Sequence, residues 1–257
     1  MLHHEANRAL TESRRYAVRT VGAGAPLRWL ARGWADLWRC PLPGLLHGLV
    51  LAGFGAALAL VAHAEFWLLA GAFSGFLLVA PVAATGLYAV SRALERGERP
   101  TLATALRVWW PRDGRLVLFG VLLACAGTGW VVTSAALVTG FAPGMVRRPE
   151  DFLMLVVAAG QGWLFEAWLA LGALLAAPVF ASSVIAIPLL LDRRIGVLAA
   201  VLTSWRAVLE NPLPMALWAV LLVGLTLLSL LPALLGLVLV APWLAHASWH
   251  AYRDLVA

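Results

Sequence analysis

Apolar positions in this chain gather into runs long enough to cross a bilayer, and the stretches between them keep a helical period. Leu42 to Ala62, Phe66 to Val90, Leu116 to Thr139, Trp163 to Leu191, Leu213 to Leu230 and Leu234 to Ala251 are each predominantly apolar, and a crossing helix needs about 20 such residues. The pattern predicts an all-α membrane protein of six transmembrane helices. After Pro26, the residues Leu27, Leu30, Trp34 and Leu37 recur at helical spacing opposite Arg28, Arg32, Asp36 and Arg39. That arrangement suits a helix lying among lipid headgroups. Leu102, Leu106 and Trp109 mark a second amphipathic helix, and Ile195, Leu198, Leu202, Trp205 and Leu209 a third. Phe152 to Ala159 is too short to span and reads as interfacial or re-entrant; two spans within 151–191 would make seven helices in all. Residues 1–25 contain no apolar run and read as a mobile polar tail, which leaves 26–257 as a single transmembrane domain.

The elements repeat. GWADLWRCPLPGLLHGLVLAG from Gly33 aligns with SWRAVLENPLPMALWAVLLVG from Ser204, matching Trp34 with Trp205, Pro41 with Pro212 and Pro43 with Pro214. Each second hairpin helix carries Ala-Pro, at Pro81, Pro178 and Pro242. Proline removes a helical hydrogen bond and kinks the helix, so a bent helix is expected in each unit. The chain then reads as three tandem hairpins, each preceded by an amphipathic helix, with units at about 26–100, 101–194 and 195–257. The middle unit departs most, with Trp109-Trp110-Pro111 in place of the spaced Trp and Pro. Four residues after the three prolines stand Thr85, Ser182 and His246, whose side chains could donate to carbonyls freed by the kinks.

Composition agrees with a lipid environment. The chain is 62% hydrophobic and 12% charged, about half the charged share of a soluble domain. Every one of the 19 basic residues is Arg. Of these, 17 fall in the N-terminal region, the 91–115 and 192–210 loops and the C-terminal tail, while Arg147 and Arg148 stand opposite. The positive-inside rule places both termini in the cytoplasm of a bacterium, with the protein in the inner membrane. The net charge of +6 is carried by Arg residues flanking apolar runs. It points to anionic headgroups rather than nucleic acid, with Arg28, Arg32, Arg107 and Arg206 on the surface helices as the contacts. Cys40 and Cys125 make no disulfide framework, and no cleavable signal peptide is visible before Pro26.

Candidate chemistry is sparse. Glu166 is the acidic residue well inside an apolar run, with Gln161 five residues earlier. It reads either as a proton or cation site or as a shallow carboxylate beside Trp163 and Trp168. Gly71 and Gly75 form a GxxxG pattern suited to close helix packing. His246 and His250 share one helix face at the spacing of paired metal ligands, and His47 could complete a metal site if the first and last helices are neighbours. An aromatic belt or a carbonyl partner is the structural alternative. No phosphate loop, nucleophile elbow, dinucleotide fingerprint or HExxH is present.

SVIAIPLLLDRRIGVLAAVLTSWRAVLENPLPMALW (183–218), LAHASWHAYR (244–253) and GLYAVSRALERGERPTL (86–102) resemble segments of a bacterial integral membrane protein family of unknown function. The resemblance runs from about Arg28 onward and implies a six-helix inner-membrane fold without an assigned activity. Some relatives carry a label resembling cytochrome oxidase subunit I. That label does not suit a chain with six His, two of them His3 and His4 in the tail. Three functions follow as expectations: a non-catalytic accessory, assembly or structural component, without cofactor and in a larger membrane complex; a transporter or channel for a small solute or lipid; or a metal- or haem-handling protein.

Overall fold

A computed structural model of the chain describes residues 2–62, 65–109, 114–159 and 162–257, apart from the side chains of residues 2–4, 62, 73, 74, 76–81 and 109. His63 and Ala64 between the first two apolar runs, the Trp110-Pro111 pair, Gln161 and the side chain of Pro81 lie outside the described residues. In chain order the helices are α1 (Leu2–Arg14), α2 (Ala25–Arg39), α3 (Pro41–Ala62), α4 (Phe66–Ala83), α5 (Thr85–Glu95) and α6 (Leu102–Leu106). They continue with α7 (Gly114–Phe141), α8 (Pro149–Phe152), α9 (Trp163–Ser183), α10 (Ala186–Asp192), α11 (Val197–Glu210), α12 (Pro212–Leu230) and α13 (Leu237–Leu255). The fold is all-α. Among the described residues, Pro41–Val61, Gly114–Phe141, Trp163–Asp192 and Pro212–Leu230 are helical stretches long and apolar enough to cross a membrane.

Two expected long spans are broken. The run from Phe66 to Val90 divides at Ala84 into α4 and α5, and the run from Trp163 to Leu191 divides at Val184-Ile185 into α9 and α10. Neither break falls at a proline. Pro178 lies inside α9 and Pro242 inside α13, which stays continuous. At the breaks Thr85 Oγ1 donates to Val82 O at 2.7 Å, and Ile185 N–H donates to Ser204 Oγ of α11 at 3.1 Å. Ser182 and His246 do not donate to kink carbonyls; Ser182 accepts from Trp205 Nε1 at 2.9 Å, and His246 bonds Ser91.

The chain divides into two compact units. The first comprises residues 1–52, 81–119 and 180–257. At its centre α5, α10 and α13 pack on one another, with α6 against α5, α11 against α10, and α2 against α13. Glycines make the α13 contacts close. A Cβ on Gly33 would lie 2.5–2.8 Å from Ala247, one on Gly48 would enter the Val238 backbone, and one on Gly44 would lie 3.2 Å from Pro242. Trp29, fully buried, meets Trp218 of α12 edge-on at 5.5 Å. The opposite face of α2 exposes Leu27, Trp34 and Trp38, and Trp34 contacts both Trp38 and Trp243.

The N-terminal segment, read as a tail, is helical over α1 and is held by α11. Ser13 Oγ and Thr203 Oγ1 are 3.0 Å apart, and Glu12 accepts from the Gly196 N–H at 3.1 Å. A short antiparallel bridge then pairs Val18 with Val256. The polar composition that suggested mobility serves side-chain partners nearly 190 residues away.

The second unit comprises residues 53–80 and 120–179. Its core is Val138, Val146, Val156 and Leu164, walled by Phe66, Trp67, Phe152, Phe165 and Trp168. Phe66 stacks on Phe152 at 4.9 Å, and Trp168 Nε1 donates to Ser134 Oγ at 2.6 Å. The short apolar stretch after Asp151 forms a π-helical turn over Leu153–Val157. Gly71 lies at ordinary contact distance from Val131 and Gly75 has nothing within 4 Å, so among the described residues this GxxxG pair makes no close helix approach. The glycines that do are Gly44 and Gly48, the same spacing in α3.

Candidate functional site

Four polar side chains meet where α2, α5 and α13 cross. Gly33 lets the α2 backbone touch that of α13 at Ala247, which brings Asp36, one turn later, against the histidine face of α13. Ser91 of α5 closes the group. Exposure is 4% for Asp36, 5% for His250 and nil for Ser91 and His246. Buried polar groups persist only when bonded, and these bond one another. Ser91 Oγ donates to Asp36 Oδ2 at 2.8 Å, and His250 Nε2 donates to the same oxygen at 2.8 Å.

Proton counting fixes the next link. The Ser91 hydroxyl has one proton, and Asp36 receives it. The 2.8 Å contact between Ser91 Oγ and His246 Nδ1 therefore requires the imidazole to donate, which assigns its proton to Nδ1. This order differs from that of a nucleophilic triad, where histidine takes the serine proton and the carboxylate holds the histidine. Here the carboxylate takes the serine proton, and the serine is sealed from solvent. Burial raises the Asp36 pKa, but the hydrogen bonds from His250 and Ser91 outweigh it and hold the carboxyl below its ordinary 3.8.

A collar of charged groups continues the network. His250 Nδ1 lies 4.0 Å from Glu95 Oε1, and Glu95 pairs with Arg253 at 3.1 Å. Arg92 of α5 lies 3.7 Å from Asp192 of α10 and donates to Leu191 O at 3.2 Å. Tyr252 Oη of α13 donates to Asp192 at 2.8 Å. At the same end Asp254 accepts from Trp29 Nε1 at 2.8 Å and pairs with Arg32. Burial raises the Asp254 pKa; these two partners bring it down below the usual carboxylate value.

The residues singled out from the sequence fall as follows. His47, His246 and His250 are all buried. His47 Nδ1 donates to Pro43 O at 2.8 Å. Among the described residues no group of three or more His, Cys, Asp or Glu is placed to hold a metal ion; two of the three imidazoles are engaged by Asp36 and Ser91 instead. Glu166 is exposed in the first turn of α9. Arg28 is exposed on α2, and Arg107 lines a cleft beside α5. Arg32 pairs with Asp254, and Arg206 donates to Ser13 O and Tyr16 O. Asp36 and Ser91 were not anticipated as partners of the histidines. The one available signal was an acidic residue on an otherwise basic amphipathic stripe.

No curated protein and no solved structure matches the chain. It is an integral membrane protein with several apolar helices, of unknown function. Over residues 68–192, just under half of its length, it matches the family model described as a predicted integral membrane protein, DUF2189, the uncharacterised membrane family that its sequence resembles.

Proposed function

We propose that this is a non-catalytic accessory, assembly or structural component of the bacterial inner membrane, built of six transmembrane helices in three tandem hairpins. The observation that carries the functional reading is the use made of the buried polar residues. Asp36, Ser91, His246 and His250 bond one another across three helices, with Ser91 and His246 fully buried. Such groups fix a helix arrangement.

The span count is supported by hydrogen bonds that return to one level. Asp36 and Ser91 are bonded, so a crossing by the apolar helix α3 between them calls for a return crossing, and the apolar helix α4 is the segment this reading assigns to it. Asn211 bonds Val21 ahead of α2, and His250 bonds Asp36 within it. The crossing by α12 is then reversed by α13. The packing of α2 on α13, α6 on α5 and α11 on α10 supports the repeat: each surface helix lies on the inner helix of the unit before it, the first on the last. The Arg distribution favours a cytoplasmic location for this level, with anionic headgroups as neighbours and a larger membrane complex as the working assembly.

The test is purification from the native membrane in mild detergent, followed by mass spectrometry and an optical spectrum. A stoichiometric membrane-protein partner without a chromophore is expected. A preparation that holds no other protein, or one with a Soret band, overturns the reading.

A further inference from the structure

The cytoplasmic-type loop after α5 does more than mark topology. Between α5 and α6 lies a cleft of about 370 Å³, within the size range of about 300–1,000 Å³ typical of small-ligand sites. Its floor is Ala89 and Ala93, both buried. Arg92, Arg96 and Arg107 line it, together with Glu98 and the Thr104 hydroxyl. The charge of this lining is +2, from three guanidinium groups and one carboxylate.

The cleft is built, and its walls are fixed. Gly86 lets α6 approach α5 so closely that a Cβ there would lie 2.9 Å from Ala105 O. Arg92 is held by Leu191 O and Asp192. Thr104 Oγ1 accepts from the Thr101 N–H at 3.0 Å, which leaves its own hydroxyl proton to donate. Arg96 and Arg107 are both exposed where they line the cleft. Planar guanidinium groups lining one small space suit the oxygens of a tetrahedral anion, with Arg96 and Arg107 as the exposed donors and the Thr104 hydroxyl adding a further bond.

We propose that this cleft binds a phosphoryl group, presented either by an anionic lipid headgroup or by a free phosphate. Basic pockets beside transmembrane helices are suited to phosphorylated headgroups. This site differs from diffuse attraction to the bilayer surface because it has a defined stoichiometry of one.

The test uses the full chain in neutral detergent, by equilibrium dialysis with radiolabelled inorganic phosphate and by native mass spectrometry with phosphatidylglycerol against phosphatidylcholine. The expected result is one saturable equivalent of inorganic phosphate or of phosphatidylglycerol, and none of phosphatidylcholine. Arg96→Gln with Arg107→Gln should weaken it at least about tenfold, whereas Arg14→Gln, at an exposed position of α1, leaves it unchanged. Displacement of phosphate by phosphatidylglycerol identifies the lipid as the source; phosphate binding indifferent to it identifies a soluble anion. Should the double variant not fold, Arg96→Gln alone is read, with a smaller loss expected. Absence of saturable binding of either probe, or variants that bind as the wild type does, overturns the site. Neither result depends on whether the protein has a partner complex.

Discussion

Asp36 holds two hydrogen-bond donors in a place water does not reach, so the three side chains depend on its charge. Asp36→Ala would leave Ser91 and His250 buried without their acceptor, at a cost of roughly 2–4 kcal/mol. A lowered melting temperature in detergent is the expected outcome. Asp36→Asn keeps an acceptor oxygen and should cost less. The pH dependence has a definite sign. The folded carboxyl has a pKa below its ordinary 3.8, so its contribution is present in full above that value and is lost as pH falls through the folded one. The melting advantage of the wild type over Asp36→Asn should therefore shrink between pH 6 and pH 3; an advantage that grew on acidification would contradict the assignment. At this scale the sequence was half legible. The spacing of His246 and His250 announced a shared face. Their partners Asp36 and Ser91 lie 214 and 155 residues away, and a polar stripe looks alike whether it meets water or another helix.

Elements were more legible than their contacts, because periodicity states which residues share a face and not what that face meets. The amphipathic pattern of 26–39 predicted α2 correctly. The structure turns its Leu30, Gly33 and Leu37 to α13 and leaves Leu27, Trp34 and Trp38 outside. Close approach depends on backbone space, which Gly33 provides. Gly33→Ala places a methyl 2.5–2.8 Å from Ala247 and should destabilise the protein by about 1–3 kcal/mol. Gly53→Ala, with nothing within 4 Å, should be neutral or stabilising by up to about 1 kcal/mol. Denaturation of the two variants in one detergent distinguishes them, and equal effects would mean that the α2–α13 approach does not limit stability. Helix breaks at Ala84 and Ile185 were illegible for a related reason. Proline marks where a hydrogen bond must be lost, whereas these breaks are held by hydroxyls of Thr85 and Ser204, and no sequence rule ties those to a break.

For the whole molecule, charge carries the orientation. Reporter fusions after Arg99, Asp192 and Arg253 should be cytoplasmic and one at Arg147 exterior; an exterior signal at Arg253 would remove the six-helix arrangement. The apolar runs gave the all-α membrane class, and the metal-site reading of His47 with His246 and His250 required the first and last helices to be neighbours. The packing joins the first elements to the last, since α1 lies on α11 and α2 on α13. That has a consequence for biosynthesis. Ribosomes add about 5–20 residues per second, and His250 follows Asp36 by 214 residues. For roughly 10–40 s after it emerges, α2 lacks α13, the helix that covers most of its buried face. Its carboxylate must stay hydrated during that interval, while Leu27, Trp34 and Trp38 can already rest in the headgroup layer. A chain cut short before α13 would leave the Gly33 and Asp36 face of α2 without the helix that covers it.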